Sequence, residues 1–121
     1  MDRGTLETAH AGIHAIGDVT SIPLAMGRPL PKAGVFAHRQ AEVVAARIVH
    51  AWTGAGTPAV FDGHGACFVE VGDGKAGYGA GDFYAEPVPR VGLRTPTRWA
   101  HWGKVVYERL WLSGRFVGLP S

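Results

Sequence analysis

An α+β fold is predicted from three observations. A short apolar run, Ile13 to Ile16, stops at Gly17-Asp18; an Ala/Val-rich stretch with helical spacing follows from Gly34 to Trp52; and beyond the break Thr53 to Pro58 come short β-type runs and a final Trp/Arg-rich helical stretch. Helix, then sheet, then helix, with no internal repeat, is the order of an α+β arrangement. The expected division is 1–58 and 59–121, the second part being a small antiparallel sheet with an amphipathic C-terminal helix.

Residues 1–10 are polar and are expected to lie over the surface. Ile13 to Ile16 is mostly apolar and partly β-branched and then meets a glycine and an acid, which reads as a buried strand ending at a site. Thr20 to Pro31 is a loop with room for one helical turn. From Gly34 to Trp52, Val35, Phe36, Val43, Val44, Ile48 and Trp52 recur at mixed i+4 and i+8 spacing, with Arg39, Glu42 and Arg47 between them. That pattern predicts a helix, ended by Thr53-Gly54. Ala66 to Val71 is then a strand, Gly72 to Gly81 a connection, Asp82 to Ala85 a returning strand, and Val91 to Arg94 a third candidate. The last helix is expected from about Thr97 to Leu112, with Thr95 or Thr97 as its cap and Trp99, Trp102, Val105, Val106, Leu110 and Leu112 as its apolar stripe.

Composition narrows the function classes. At 121 residues the chain is one domain at most, and 46% hydrophobic residues exclude a disordered tail, while 18 glycines and 8 prolines argue against a long helical bundle. A net charge of +2 is too small to imply nucleic acid, but the charge is uneven. After Val91 the bases Arg94, Arg98, Lys104, Arg109 and Arg115 face Glu108 alone, and Trp99, Trp102 and Trp111 share that stretch. A single cysteine excludes an internal disulfide framework and fits a reducing compartment, hence an expected cytoplasmic location, or a partner thiol outside this chain. Nothing resembles a signal peptide, and no apolar run approaches the ~20 residues of a membrane span. The six histidines have no metal-ligand spacing: His10 and His14 span a loop and a strand, and His64-x-x-Cys67 lacks a second pair.

Three places carry chemistry. Asp18, at the carboxyl end of the expected strand, can accept hydrogen bonds from ligand hydroxyls, and Gly17 lets the backbone come close to a neighbour. Pro29, Pro31 and Gly34 sit just ahead of the first helix, whose free N–H groups and positive dipole end can hold an electron-rich group. Cys67 begins a strand after Gly63-His64-Gly65, where small residues allow close approach of another group.

These residues, Thr5-Leu6-Glu7-Thr8, Gly12-Ile13-His14-Ala15-Ile16-Gly17-Asp18-Val19, Leu30-Pro31-Lys32-Ala33-Gly34-Val35-Phe36-Ala37 and Gln40-Ala41, resemble the C-terminal flavin-binding segment of pyridine-nucleotide-disulfide oxidoreductases. The form is similar to the sulfide:quinone oxidoreductase and flavocytochrome c sulfide dehydrogenase branch. By that resemblance, residues 1–58 are the last strand and helix of a Rossmann-like FAD domain. Gly17, Asp18 and Val19 would hold FAD at its ribityl chain, and Lys32, Ala33 and Gly34 at the pyrimidine end of the isoalloxazine. Gly65 to Asp73 is similar to the segment carrying one redox-active cysteine, which makes Cys67 the implied catalytic residue. The implied donor is sulfide or another small reductant, and the implied acceptor a quinone or a cytochrome.

The resembled enzymes open with a glycine-rich strand-turn-helix for the FAD pyrophosphate. Here Gly72 to Gly81 follows a strand but leads to no helical pattern, so it reads as a hairpin and the nucleotide-binding domains are expected to lie upstream of this sequence. Other readings stand beside these. Lys32 is equally a solvated loop charge, Cys67 a buried small hydrophobe, and His64 a helper to the thiol. The last helix is either plain core packing or a peripheral attachment to the inner face of the plasma membrane, with Trp at the interface and Arg on anionic lipid. A type II NADH:quinone reductase-like flavoprotein and a non-catalytic dimerisation or membrane-docking module are the alternatives for the whole chain.

Overall fold

The computed structural model describes residues 1–114, so Arg115 of the basic stretch lies outside them. The architecture is α+β: helix α1 (Gly34–Thr53), strands β1 (His64–Gly72), β2 (Lys75–Asp82) and β3 (Arg90–Thr97), and helix α2 (Arg98–Leu112). The strands form one antiparallel sheet in the order β1-β2-β3. The chain separates into two compact units that do not follow it linearly. The first comprises Met1–Gly65 and Ala80–Val91; the second comprises Ala66–Gly79 and the chain from Gly92 onward.

The first unit holds the main apolar core. Leu6, Ile22, Leu24, Leu30, Phe36 and Phe61 are buried together, with Ile16, Val43, Val44, Phe83 and Tyr84 packed against them. Phe36 meets Phe83 edge to face at 5.0 Å between ring centres, and Phe61 meets Tyr84 in the same way at 5.6 Å. Burying a side chain such as Phe61, which is 2% exposed, is worth about 1.5–3 kcal/mol. Tyr84 donates its hydroxyl proton to the Arg3 carbonyl at 2.9 Å, and burial pushes its phenol up to about 12.

Helix α1 follows the predicted boundaries because its stop signal is physical: Gly54 takes a left-handed φ of 67° and donates its N–H to the His50 carbonyl at 2.8 Å. Its apolar stripe is buried only at the amino-terminal end. Phe36 lies in the core, whereas Trp52 is 85% exposed.

Three expectations are corrected in the strands. Ile13 to Ile16 forms no strand, only a single antiparallel bridge between Glu7 and His14, and Ile13 is more than half exposed. The arm it pairs with cannot extend, because Leu6 turns to φ 62° to bury its side chain and Gly12 turns to φ 76°. The one short turn of helix falls at Gly17–Val19, ahead of the loop, while residues 20–31 fold back on themselves through a Pro23–Pro29 bridge.

The third correction concerns Gly72 to Gly81, which is mostly strand, while Asp82 to Ala85 leaves the sheet after its first residue. The reversal is made by Asp73-Gly74 alone, both at positive φ, as a two-residue hairpin turn requires. Gly77, Gly79 and Gly81 alternate along β2, and at the last two its neighbour crowds that side. A Cβ on Gly79 would stand 3.1 Å from the Leu93 side chain, and one on Gly81 would collide with the Arg90 carbonyl oxygen.

In the second unit, α2 begins at Thr97, whose hydroxyl accepts the Ala100 N–H at 3.0 Å, a cap worth about 1 kcal/mol. The helix meets the sheet with its polar and tyrosine side. His101 Nδ1 lies 3.0 Å from a Glu70 carboxylate oxygen, Lys104 Nζ lies 3.6 Å from the same oxygen, and Tyr107 packs on Phe68 with 6.2 Å between ring centres. No residue of α2 is buried, and Trp99, Trp102 and Val106 are all exposed. Among the described residues no helix is long and apolar enough to cross a membrane.

Candidate functional site

Gly17 is the pivot of the site. Its φ of 68° is left-handed, so the backbone calls for glycine, while a Cβ there would lie 3.4 Å from the Ala37 Cβ, in ordinary contact with α1. From this residue the chain makes its short 3₁₀ turn, closed by Thr20, whose N–H and hydroxyl both donate to the Gly17 carbonyl at 3.0 and 2.8 Å. The Gly17 N–H donates to Gln40 Oε1 at 2.7 Å. Asp18 follows and is exposed, as is Val19.

The second half of the site is the start of α1. Ala33 is extended, with φ −149° and ψ 144°, and its carbonyl accepts from Phe36 at 3.0 Å and Ala37 at 3.2 Å. No side chain caps this end. The Gly34 and Val35 amides therefore precede the first intrahelical bond and are available to an acceptor, at the positive end of the helix dipole.

Folding brings the two halves together. Lys32 Nζ donates to the Asp18 carbonyl at 2.5 Å, across fourteen positions of sequence. Gly17, Asp18, Lys32, Ala33, Phe36, Ala37 and Gln40 line one cleft of about 10 Å³. A volume of that size holds no more than about one water. Its chemistry therefore sits on the rim, a carboxylate and an ammonium group now engaged by a carbonyl, with the uncapped start of α1 following Ala33. Such a rim can accept hydrogen bonds from hydroxyls on one side and stabilise an electron-rich edge on the other.

Comparison with models of known protein families, with curated proteins and with solved structures finds no match for this chain.

Cys67 belongs to the second unit and is exposed, which overturns the reading of it as a buried hydrophobe. His64 does not serve it. Three residues apart on one strand, their side chains leave opposite faces of β1, and His64 Nδ1 is 3.3 Å from Asp62 Oδ2. His101, for which the sequence suggested no role, is a sheet-to-helix contact through Glu70. Among the described residues no group of three or more His, Cys, Asp or Glu side chains could hold a metal ion.

Gln40 is the residue that sequence reasoning missed. It is 1% exposed and is the buried polar side chain of the core. The signal was present: Gln40 lies four residues after Phe36 on the buried side of α1, where an apolar residue is the rule.

Proposed function

We propose that this chain is the C-terminal part of an FAD-dependent oxidoreductase that oxidises sulfide, or another small reductant, and passes electrons to a quinone or a cytochrome. The observation that carries the reading is the meeting of Gly17-Asp18 with Lys32-Ala33 around one cleft, just ahead of the uncapped start of α1 at Gly34. On this reading residues 1–58 close a Rossmann-like FAD domain whose nucleotide-binding parts lie elsewhere in the protein.

The residues suit FAD in kind. Asp18 would accept from ribityl hydroxyls, and the Gly34 and Val35 amides would face the electron-rich pyrimidine edge, with Gly17 and Val19 providing backbone beside it. Lys32 would release the Asp18 carbonyl to reach the same edge. The cleft has no room for a ring, so the cofactor would meet its rim. Bound FAD would supply the two-electron acceptor. Cys67 would be paired in a disulfide with a thiol from outside this chain, the two electrons released in making that bond going to the two-electron acceptor and the protons to solvent; a sulfide sulfur would attack one of its sulfurs, forming a new S–S bond while the other cysteine leaves as a thiolate.

Because the chain has rim contacts but no pyrophosphate cradle, the 121-residue protein should purify without flavin, and a stoichiometric yellow product would count against the site. In the complete enzyme Asp18→Ala removes a charge-assisted bond worth roughly 1.5–3 kcal/mol, so FAD should bind about 10- to 150-fold more weakly. Unchanged flavin content after dialysis would take Asp18 off the site.

The outward side of α2 supports peripheral membrane attachment. Trp99 and Trp102 are exposed there in a stretch that also carries Arg94, Arg98 and Arg109. Trp favours the bilayer interface, and each base near an anionic surface adds about 1 kcal/mol. Trp99→Ala with Trp102→Ala should reduce sedimentation with phosphatidylserine vesicles while far-ultraviolet circular dichroism stays unchanged. Equal sedimentation of variant and parent would assign these tryptophans to a protein contact instead.

A further inference from the structure

We infer that Gln40 is the positioning residue of the Gly17-Asp18 site. Its side chain is 1% exposed, yet it is spent on one backbone group, the Gly17 N–H, at 2.7 Å and twenty-three positions away. Nothing local would hold that group. Gly17 stands at a left-handed φ that only a glycine adopts freely, so its peptide planes are intrinsically free to turn. The Gln40 oxygen holds one side of the residue, and Thr20 closes the turn on the other. Since α1 carries both Gln40 and the uncapped amides at its own start, one rigid helix fixes the Gly17-Asp18 turn relative to that start. The ligand in this inference rests on the flavin reading; the latch itself does not.

Three chains separate positioning from packing. Gln40→Met keeps the volume but offers no good acceptor, whereas Gln40→Glu places a carboxyl oxygen at the same reach, charged or neutral, and restores the bond. The measurements are amide exchange by NMR on the 121-residue protein and a titration of its Asp18 and Gly34 amides with FMN at millimolar concentration. A net hydrogen bond of about 0.5–1.5 kcal/mol corresponds to roughly a two- to twelvefold effect. Gln40→Met should speed exchange at Gly17 by that factor while the amides of α1 stay protected, and should weaken the FMN response of Asp18 by a similar factor. Gln40→Glu should return Gly17 to its parent exchange rate.

Unchanged Gly17 exchange in Gln40→Met would overturn the inference. So would faster exchange spread evenly over α1, or a Gln40→Glu chain indistinguishable from Gln40→Met, since either would make Gln40 an ordinary core residue. If Gln40→Met does not fold, Gln40→Asn, one methylene too short to reach Gly17, takes its place against Gln40→Glu. A parent chain that ignores FMN would remove the flavin reading from this site, and the Gly17 measurement would still decide the latch.

Discussion

Cys67→Ser in the complete enzyme is expected, on the flavin reading proposed above, to abolish sulfide-dependent flavin reduction while FAD stays bound. Serine keeps nearly the volume of cysteine, and the position is exposed on β1, so the substitution should cost the fold almost nothing. What it removes is chemistry: a hydroxyl is a far weaker nucleophile than a thiolate and cannot enter a disulfide. Anaerobic mixing with sulfide, followed by flavin absorbance, reads the outcome directly. Reduction at the parent rate would return Cys67 to the surface residues and move the type II NADH:quinone reductase-like alternative ahead, since that chemistry needs no cysteine pair. Loss of flavin together with activity would mean instead that the substitution had disturbed cofactor binding.

Gly81→Ala should be the most damaging single-methyl change in the sheet. The added carbon would collide with the Arg90 carbonyl oxygen and crowd the Val91 Cα, and these are backbone atoms that cannot rotate away. Forcing a methyl group into such a place costs about 1–3 kcal/mol and occasionally more. Gly72→Ala provides a contrast, because a Cβ there meets nothing within 4 Å and its penalty would come only from the left-handed φ of 90°. Urea unfolding of both variants tests the pair. A Gly81→Ala chain as stable as its parent would show that β2 and β3 separate more freely than their present register allows.

The residue pattern was sufficient wherever a signal and its effect lie within one turn of each other. A threonine cap at Thr95 or Thr97 was readable, because its hydroxyl needs only the amide three residues on, and the structure gives it to Thr97; Gly54 was readable as a stop, because the left-handed conformation there is a local property of glycine. The Asp73-Gly74 hairpin was equally local and could have been read, but the glycines after it masked the strand. Gly77, Gly79 and Gly81 looked like a flexible connection, yet all three lie within β2, and at Gly79 and Gly81 the neighbouring strand stands too close for a side chain.

Sequence by itself determined α1, α2 and the two separate halves of the candidate site, since helical spacing, caps and a glycine-acid pair are encoded over a few residues. Only the tertiary structure decided that those halves share a cleft, that Gln40 joins them, and that Ile13 to Ile16 stays out of the sheet. A strand exists only through its partner, and a hydrogen bond from the Gly17 N–H to the Gln40 side chain leaves no trace in the spacing of either. The same holds for α2, where an apolar stripe suggested burial but the helix meets β1 through His101 and Lys104 on Glu70 and Tyr107 on Phe68, with Trp99 and Trp102 left exposed.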